Sequence, residues 1–196
     1  MSRPSRGHGR ALRVIAGDVG GQTLVAPRGE RTRPTAGRVK EALFAALGAD
    51  RVVGASVLDA YAGSGALAIE ALSRGAARAV LVDRDVGAVD AIRRNLGSTR
   101  LVGRARVQRR NVTAFLRDPP PPEAPFDLVL LDPPYDLAPG ELATVLEALA
   151  APGWVSHDAT VVVEQAAGSP LPPVPRGWEA RWERAYGDTL VRILGP

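Results

Sequence analysis

The chain of 196 residues has no cysteine. That excludes disulfides, thiolate metal sites and any thiol nucleophile. The last exclusion removes enzymes that attack pyrimidine C5 through a covalent thiolate. Two histidines, His8 and His157, are too few to build the zinc site of a base deaminase, and no metal site is expected. No apolar run reaches the ~18 residues that a membrane span needs. Met1 to Arg10 is polar and basic, without the apolar stretch of a secretory signal, so the cytoplasm is the expected location. Lysine occurs once, at Lys40; all other basic residues are arginine. The planar arginine fork suits phosphate contact, although abundant alanine and proline would fit a GC-rich genome equally well.

What is present reads as one soluble α/β unit. Hydrophobic residues make up 45% and charged residues 23%, ordinary values for a globular domain. The net charge of +4 is uneven. Residues 1–40 carry nine basic side chains (Arg3, Arg6, Arg10, Arg13, Arg28, Arg31, Arg33, Arg38 and Lys40) against Asp18 and Glu30, which leaves the remainder slightly acidic. A basic arm on an acidic body points to a polyanion, and nucleic acid is the expected partner; a merely solvated tail is the plainer reading.

Hydrophobic spacing and turn residues give the order of elements. Leu12–Ala16 and Gln22–Val25 read as a hairpin around Gly20 and Gly21. Thr35 is placed to cap a helix running to Leu47, with Val39, Leu43, Ala46 and Leu47 on one face. Strands are expected at Val57–Ala60, Ala79–Val82, Ala105–Gln108, Asp127–Leu131 and Thr160–Glu164. Helices are expected at Ala66–Arg74, Val86–Leu96, Val112–Arg117 and from about residue 139 to Ala150. Trp178–Tyr186 and Thr189–Leu194 form a closing antiparallel pair. Strands alternating with helices imply a doubly wound, mostly parallel seven-stranded sheet of the Rossmann-like kind. Residues 1–50 read as an N-terminal arm, hairpin and helix, and residues 51–196 as the main domain. Ligands of such sheets gather at the carboxyl ends of the strands, where strand order reverses. Asp59, Gly63, Gly65, Asp83 and Asp132 should meet there.

Gly63-Ser64-Gly65-Ala66-Leu67-Ala68 fits G-x-G-x-x-A, with Asp83 about 20 residues on. That pattern serves dinucleotides and S-adenosylmethionine alike. Asp59 separates them. A carboxylate just before the loop repels a pyrophosphate but favours an ammonium and a sulfonium, by about 4 kcal/mol at ~4 Å and an effective dielectric of ~20. The expected cofactor is therefore S-adenosylmethionine. Its site is assigned to Asp59, Ala60, Gly63, Ser64, Gly65, Asp83, Arg84, Asn111, Val112 and Asp132. The Asn111 oxygen is available to the adenine amine or to a helix cap. Asp132-Pro133-Pro134-Tyr135 follows the buried fourth strand. Asp132 and the Pro133 carbonyl can accept from an exocyclic base amine and turn its lone pair toward a methyl carbon, Pro134 stiffens the turn, and Tyr135 can stack on the base. Asp132 or water would take the proton.

These residues resemble the bacterial 16S rRNA guanine-N2 methyltransferases of the RsmD type over almost all of the chain after residue 11. Arg13-Val14-Ile15-Ala16-Gly17 with Gly20-Gly21, and Thr32-Arg33-Pro34-Thr35 with Arg38 to Phe44, are similar to that family's N-terminal signature. Leu58 to Leu67 with Glu70 to Ala76 is similar to its donor motif, and Tyr186-Gly187-Asp188-Thr189 to its closing hairpin. Asn111 stands where many members have aspartate. The resemblance implies a class I methyltransferase that methylates N2 of one guanine of 16S rRNA, presented in an assembling 30S subunit; a monomer is expected. Arg10, Arg13, Arg31, Arg33, Arg38 and Lys40 are the expected RNA contacts. Two other readings remain: an amino-methyltransferase of another target, such as adenine N6 in DNA or RNA, and a catalytically silent RNA-binding module of the same fold.

Overall fold

The computed structural model of the chain describes residues 12–27, 36–134, 137–138 and 140–196. Its helices are α1 (Ala36–Leu47), α2 (Ala66–Ser73), α3 (Val86–Thr99), α4 (Val112–Phe115) and α5 (Glu141–Leu149). Its strands are β1 (Ser56–Ala60), β2 (Arg78–Asp83), β3 (Ala105–Arg109), β4 (Phe126–Leu131), β5 (Val155–Ala166), β6 (Glu179–Tyr186) and β7 (Thr189–Gly195). The strands form one sheet in the order β3-β2-β1-β4-β5-β7-β6. The first five pair in parallel, and β7 pairs antiparallel with both β5 and β6. This is the doubly wound arrangement that the spacing predicts. The chain runs outward from β1 to β3 and returns to β4 on the other side of β1, so strand order reverses between β1 and β4.

Two apolar layers cover the sheet. Val57, Leu81, Leu128 and Leu130 face α1, α2 and α3 through Leu43, Leu72 and Ile92. Leu58, Val80, Val129 and Leu131 face α4 and α5 through Phe115, Val145 and Leu149, with Trp154 in the same layer. Trp154 meets Phe115 edge-on at 5.4 Å and stacks on Phe126 at 6.5 Å between centroids. Burial on both faces explains why β4 reads as a nearly continuous apolar run. β5 is longer than the expected Thr160–Glu164, because β4 and β7 pair along different parts of it. The anticipated N-terminal strands reduce to a short hairpin with a single bridge, Arg13 to Thr23. The Thr35 cap lies outside the described residues.

The hairpin and α1 share the core of the main domain: Val14, Leu24, Val39 and Phe44 belong to the same layer as Ala68 and Leu72. Glu70 of α2, fully buried, fixes that contact. Its carboxylate accepts from the Ile15 and Ala16 N–H groups at 2.7 and 3.1 Å and pairs with Lys40 at 3.1 Å and Arg74 at 2.7 Å. The Lys40 ammonium also donates to the Arg13 carbonyl at 2.7 Å. This corrects the expectation that Lys40 meets RNA. It is 4% exposed and committed to Glu70, a placement set by its position on the core-facing side of α1 beside Val39. Burial lowers its pKa, and Glu70 works against that shift.

Burial alone would raise the Glu70 pKa, but the Ile15 N–H, Lys40 and Arg74 outweigh it and hold the carboxyl below its ordinary value. The stability this group contributes is present above the unfolded carboxylate pKa and lost as pH falls through the lowered folded one. Glu70→Ala, which leaves the Lys40 charge buried and unpaired, is expected to cost about 3–5 kcal/mol in urea unfolding at neutral pH. Glu70→Gln should flatten the loss of stability on acidification; an acid limb identical to that of the unaltered protein would contradict the assignment.

Candidate active site

The parallel register brings the three aspartates to one edge. Ala60 of β1 pairs with Val82 of β2 and with Leu131 of β4. Asp83 and Asp132 are the next residues on those two flanking strands. Asp59, on the strand between them, pairs with Leu81 and Leu130, two residues back from those aspartates. With strands about 4.8 Å apart, Asp83 and Asp132 are separated by roughly 10 Å across the edge. Alternation also gives them one face. Val57 precedes Asp59 by two residues, Leu81 precedes Asp83 and Leu130 precedes Asp132, and all three apolar residues belong to the layer under α1–α3.

Asp59 is 1% exposed, and its Oδ2 accepts from the Ala68 N–H at 3.0 Å, in the first turn of α2. Burial pushes its pKa well up; the Ala68 hydrogen bond opposes the shift, and the charges of Asp132 and Asp83 add to it. Asp59 thus feels both other carboxylates. Asp83 supports the loop: Oδ2 accepts from the Gly63 N–H at 2.8 Å and Oδ1 from the Asp85 N–H at 2.9 Å. Each oxygen keeps a lone pair for a hydroxyl. Asp85 in turn caps α3 by accepting from the Ala88 N–H.

The loop between β1 and α2 turns through left-handed backbone at Tyr61, Gly63 and Gly65, with φ of 66, 54 and 75°. The two glycines have different reasons. A Cβ on Gly65 would lie 2.9 Å from Leu81 Cδ2 and 3.3 Å from Ile92 Cγ1, so Gly65 lets the helix approach the sheet. A Cβ on Gly63 would meet nothing within 4 Å. Its glycine leaves open space above the loop where a ligand can lie against the backbone. Tyr61 packs against the layer of α4 and α5. Burial raises its phenol pKa, and the charge of Glu141 adds to that rise.

Asn111 resolves in favour of the cap. Its Oδ1 accepts from the Ala114 N–H at 3.1 Å and from the Thr113 hydroxyl at 2.5 Å. Both lone pairs are used, which leaves only its amide N–H groups for a ligand, so it is corrected as an acceptor for an adenine amine. Val112 behind it is buried and Arg84 is exposed. Next to Asn111, an open pocket of about 450 Å³ is bounded by Thr113, Arg117, Gly140, Glu141 and Thr144. At the end of β4, Asp132 is exposed, Pro133 is buried and Pro134 is exposed; the Pro134 carbonyl accepts from the Leu137 N–H at 3.0 Å. Tyr135 lies outside the described residues, as do Arg10, Arg31 and Arg33. Arg13 and Arg38 are exposed. The structure adds Asn95 and Ser73, which the sequence reading left without a role. Their signal was a polar residue on the apolar face of a helix.

The site fits S-adenosylmethionine: open glycine backbone, a carboxylate with hydroxyl-accepting capacity, and a buried acidic group where a phosphate would be repelled. A family model described as Conserved hypothetical protein 95 matches residues 12–195. The chain belongs to this family. Its RsmD-type members include the ribosomal RNA small subunit methyltransferase D of Escherichia coli, which is 35% identical over 193 residues, 98% of this chain and 94% of that protein. The solved structure of Escherichia coli yhhF is 35% identical and superposes with a TM-score of 0.83 over 94% of this chain and 97% of that one. A ribosomal protein L11 methylase from Lactobacillus delbrueckii, 16% identical, shares the fold with a TM-score of 0.59 over 84% of this chain and 80% of that one. The fold is that of class I methyltransferases, and S-adenosylmethionine is the methyl donor of this RsmD-type chain.

Asp83→Ala removes the anchor of the glycine loop and the expected ribose acceptor together. Calorimetry with S-adenosylmethionine should show affinity weakened about tenfold or more, the loss of one or two hydrogen bonds to a charged group. Unchanged affinity would exclude Asp83 from the donor site.

Proposed function

We propose that this protein methylates ribosomal RNA of the small subunit, and that the methylated atom is the exocyclic N2 of one guanine. The observation that carries the reading is the exposed Asp132 at the end of β4, beside the strand reversal and on the same face as Asp59 and Asp83. The Escherichia coli relative named for methylation of small-subunit rRNA supports the RNA target. The guanine atom rests on the chemistry of the Asp132 site and on the resemblance of its motifs.

An exocyclic amine is a poor nucleophile, because its lone pair is delocalised into the ring. Asp132 accepts one N–H hydrogen bond and raises electron density on nitrogen. The Pro133 carbonyl accepts the other, which favours a pyramidal amine with its lone pair directed away from both acceptors. Tyr135 holds the base by stacking, worth about 1–3 kcal/mol. When bound, S-adenosylmethionine supplies an electrophilic methyl carbon, and Asp59, Asp83 and the backbone at Gly63 and Ser64 hold it. After attack the amine is acidic, and its proton leaves to Asp132 or to water. Much of the acceleration comes from fixing the two reactants in attack geometry. Arg10, Arg13, Arg31, Arg33 and Arg38 contact the RNA phosphates. The protein acts as a monomer in the cytoplasm, on RNA presented in an assembling 30S subunit. Among the described residues, no helix is long and apolar enough to cross a membrane.

The test is transfer of labelled methyl to small-subunit RNA, or to 30S subunits, from a strain that lacks the modification, followed by nucleoside mass spectrometry. Label in N2-methylguanosine is expected. Label in N6-methyladenosine, or only in DNA, would overturn the assignment in favour of another amine target, and donor binding with no transfer would favour a silent binding module. Asp132→Ala should lower turnover by a factor of about a hundred or more, far more than it weakens donor affinity; an equal loss of both would displace Asp132 from the acceptor side. Neutralising Arg10 and Arg13 together should weaken RNA binding and reduce the slope of log affinity against log salt by about 1–2; an unchanged slope would remove them from the interface.

A further inference from the structure

The side chain of Asn95 lies on the buried face of α3, 1% exposed. Its Oδ1 accepts from the Val25 N–H at 2.8 Å. Its Nδ2 donates to the Val25 carbonyl at 2.9 Å and to the Ser64 carbonyl at 2.8 Å. Because the Val25 N–H can only donate, the orientation of the amide is determined by its partners. One side chain therefore clasps two separate segments. Val25 ends the N-terminal hairpin, three residues before the arginine-rich stretch that begins at Arg28. Ser64 is the centre of the glycine loop. Asn95 hydrogen-bonds directly to both.

Packing alone does not call for asparagine at this site. Neighbouring core positions of α3 are Ile92 and Leu96, and an apolar residue would carry no unsatisfied amide. Asparagine is also among the weaker helix formers. What it adds is a bidentate grip on one backbone residue and a third bond to the loop that holds the donor.

We propose that Asn95 is a positioning residue that couples the donor loop to the N-terminal unit, so that donor binding and RNA binding strengthen each other. The proposal rests on the reading that this unit faces RNA. A ligand lying over Gly63 and Ser64 restricts the loop. The Ser64 carbonyl then holds the Asn95 amide in place, and the amide holds Val25 at the end of the hairpin that carries the exposed Arg13. Coupling of this kind is reciprocal.

Hydrogen exchange at the Val25 amide tests the coupling without RNA. Saturating S-adenosylhomocysteine should slow that exchange about tenfold in the unaltered protein, and should leave it unchanged in Asn95→Ala and in the isosteric Asn95→Asp. No slowing in the unaltered protein would overturn the proposal even if both variants failed to fold, and so would slowing that persists in a folded variant. In a second arm, S-adenosylhomocysteine should tighten binding of small-subunit RNA about fivefold or more in the unaltered protein and not in the variants. Tightening that survives in a folded variant would also overturn it. Donor-dependent protection of Val25 in a protein that binds no RNA would instead defeat the RNA reading and leave the coupling in place.

Discussion

The structure depends on bringing negative charge together where a cation will come. Asp59 is buried at the end of the central strand, next to two further carboxylates on the flanking strands. Alone, that arrangement is unfavourable, because burial and like charge both disfavour the ionised form. The Ala68 N–H at the start of α2 offsets part of the cost. A positively charged ligand offsets more, and a phosphate-bearing one would add to it. The same charge pattern that destabilises the empty edge would favour a sulfonium donor over a dinucleotide.

Around that edge, each neighbouring element has a definite task. Two of the loop's left-handed residues are glycines, Gly65 to let α2 approach Leu81 and Ile92 and Gly63 to leave the backbone open. Asp83 ties the loop to β2 through the Gly63 N–H. From behind, α2 and α3 hold the N-terminal unit: Glu70 through Ile15, Ala16 and Lys40, Ser73 through the Ala16 carbonyl and the Val19 N–H, and Asn95 through Val25. These contacts are polar and specific, so the hairpin of residues 12–25 and α1 are fixed relative to the site.

Strand alternation, turn residues and the charge argument at Asp59 were enough to place the doubly wound sheet and the convergence of Asp59, Asp83 and Asp132. These features follow from local periodicity and from one topological rule. The sequence was less informative about long-range polar partners. Lys40 reads as one more basic residue of an arm, yet it is buried because a carboxylate on α2, thirty residues later, is aimed at it. Asn111 could serve a ligand or a cap, and its oxygen went to the cap once Thr113 and Ala114 supplied two donors. Asn95 and Ser73 are polar residues whose partners lie 31 to 70 and 54 to 57 residues away, separations that no local pattern encodes. The length of β5 was hidden for a related reason: its outer residues are held by pairing with β4 and β7, not by their own apolar pattern.

The central claim is that buried negative charge at Asp59 recognises a cationic donor. Calorimetry of S-adenosylmethionine binding in buffers of different ionisation enthalpy, from about pH 8 down to about pH 5, tests it most directly. Burial raises the Asp59 pKa in the free protein, and a sulfonium and an ammonium beside it would lower it, so binding releases a proton at any pH where the free carboxyl is protonated. Affinity must then weaken as pH falls through the range where Asp59 takes up its proton, and must weaken less for S-adenosylhomocysteine, which lacks the sulfonium charge. Affinity independent of pH, with binding heats independent of buffer, would contradict the account.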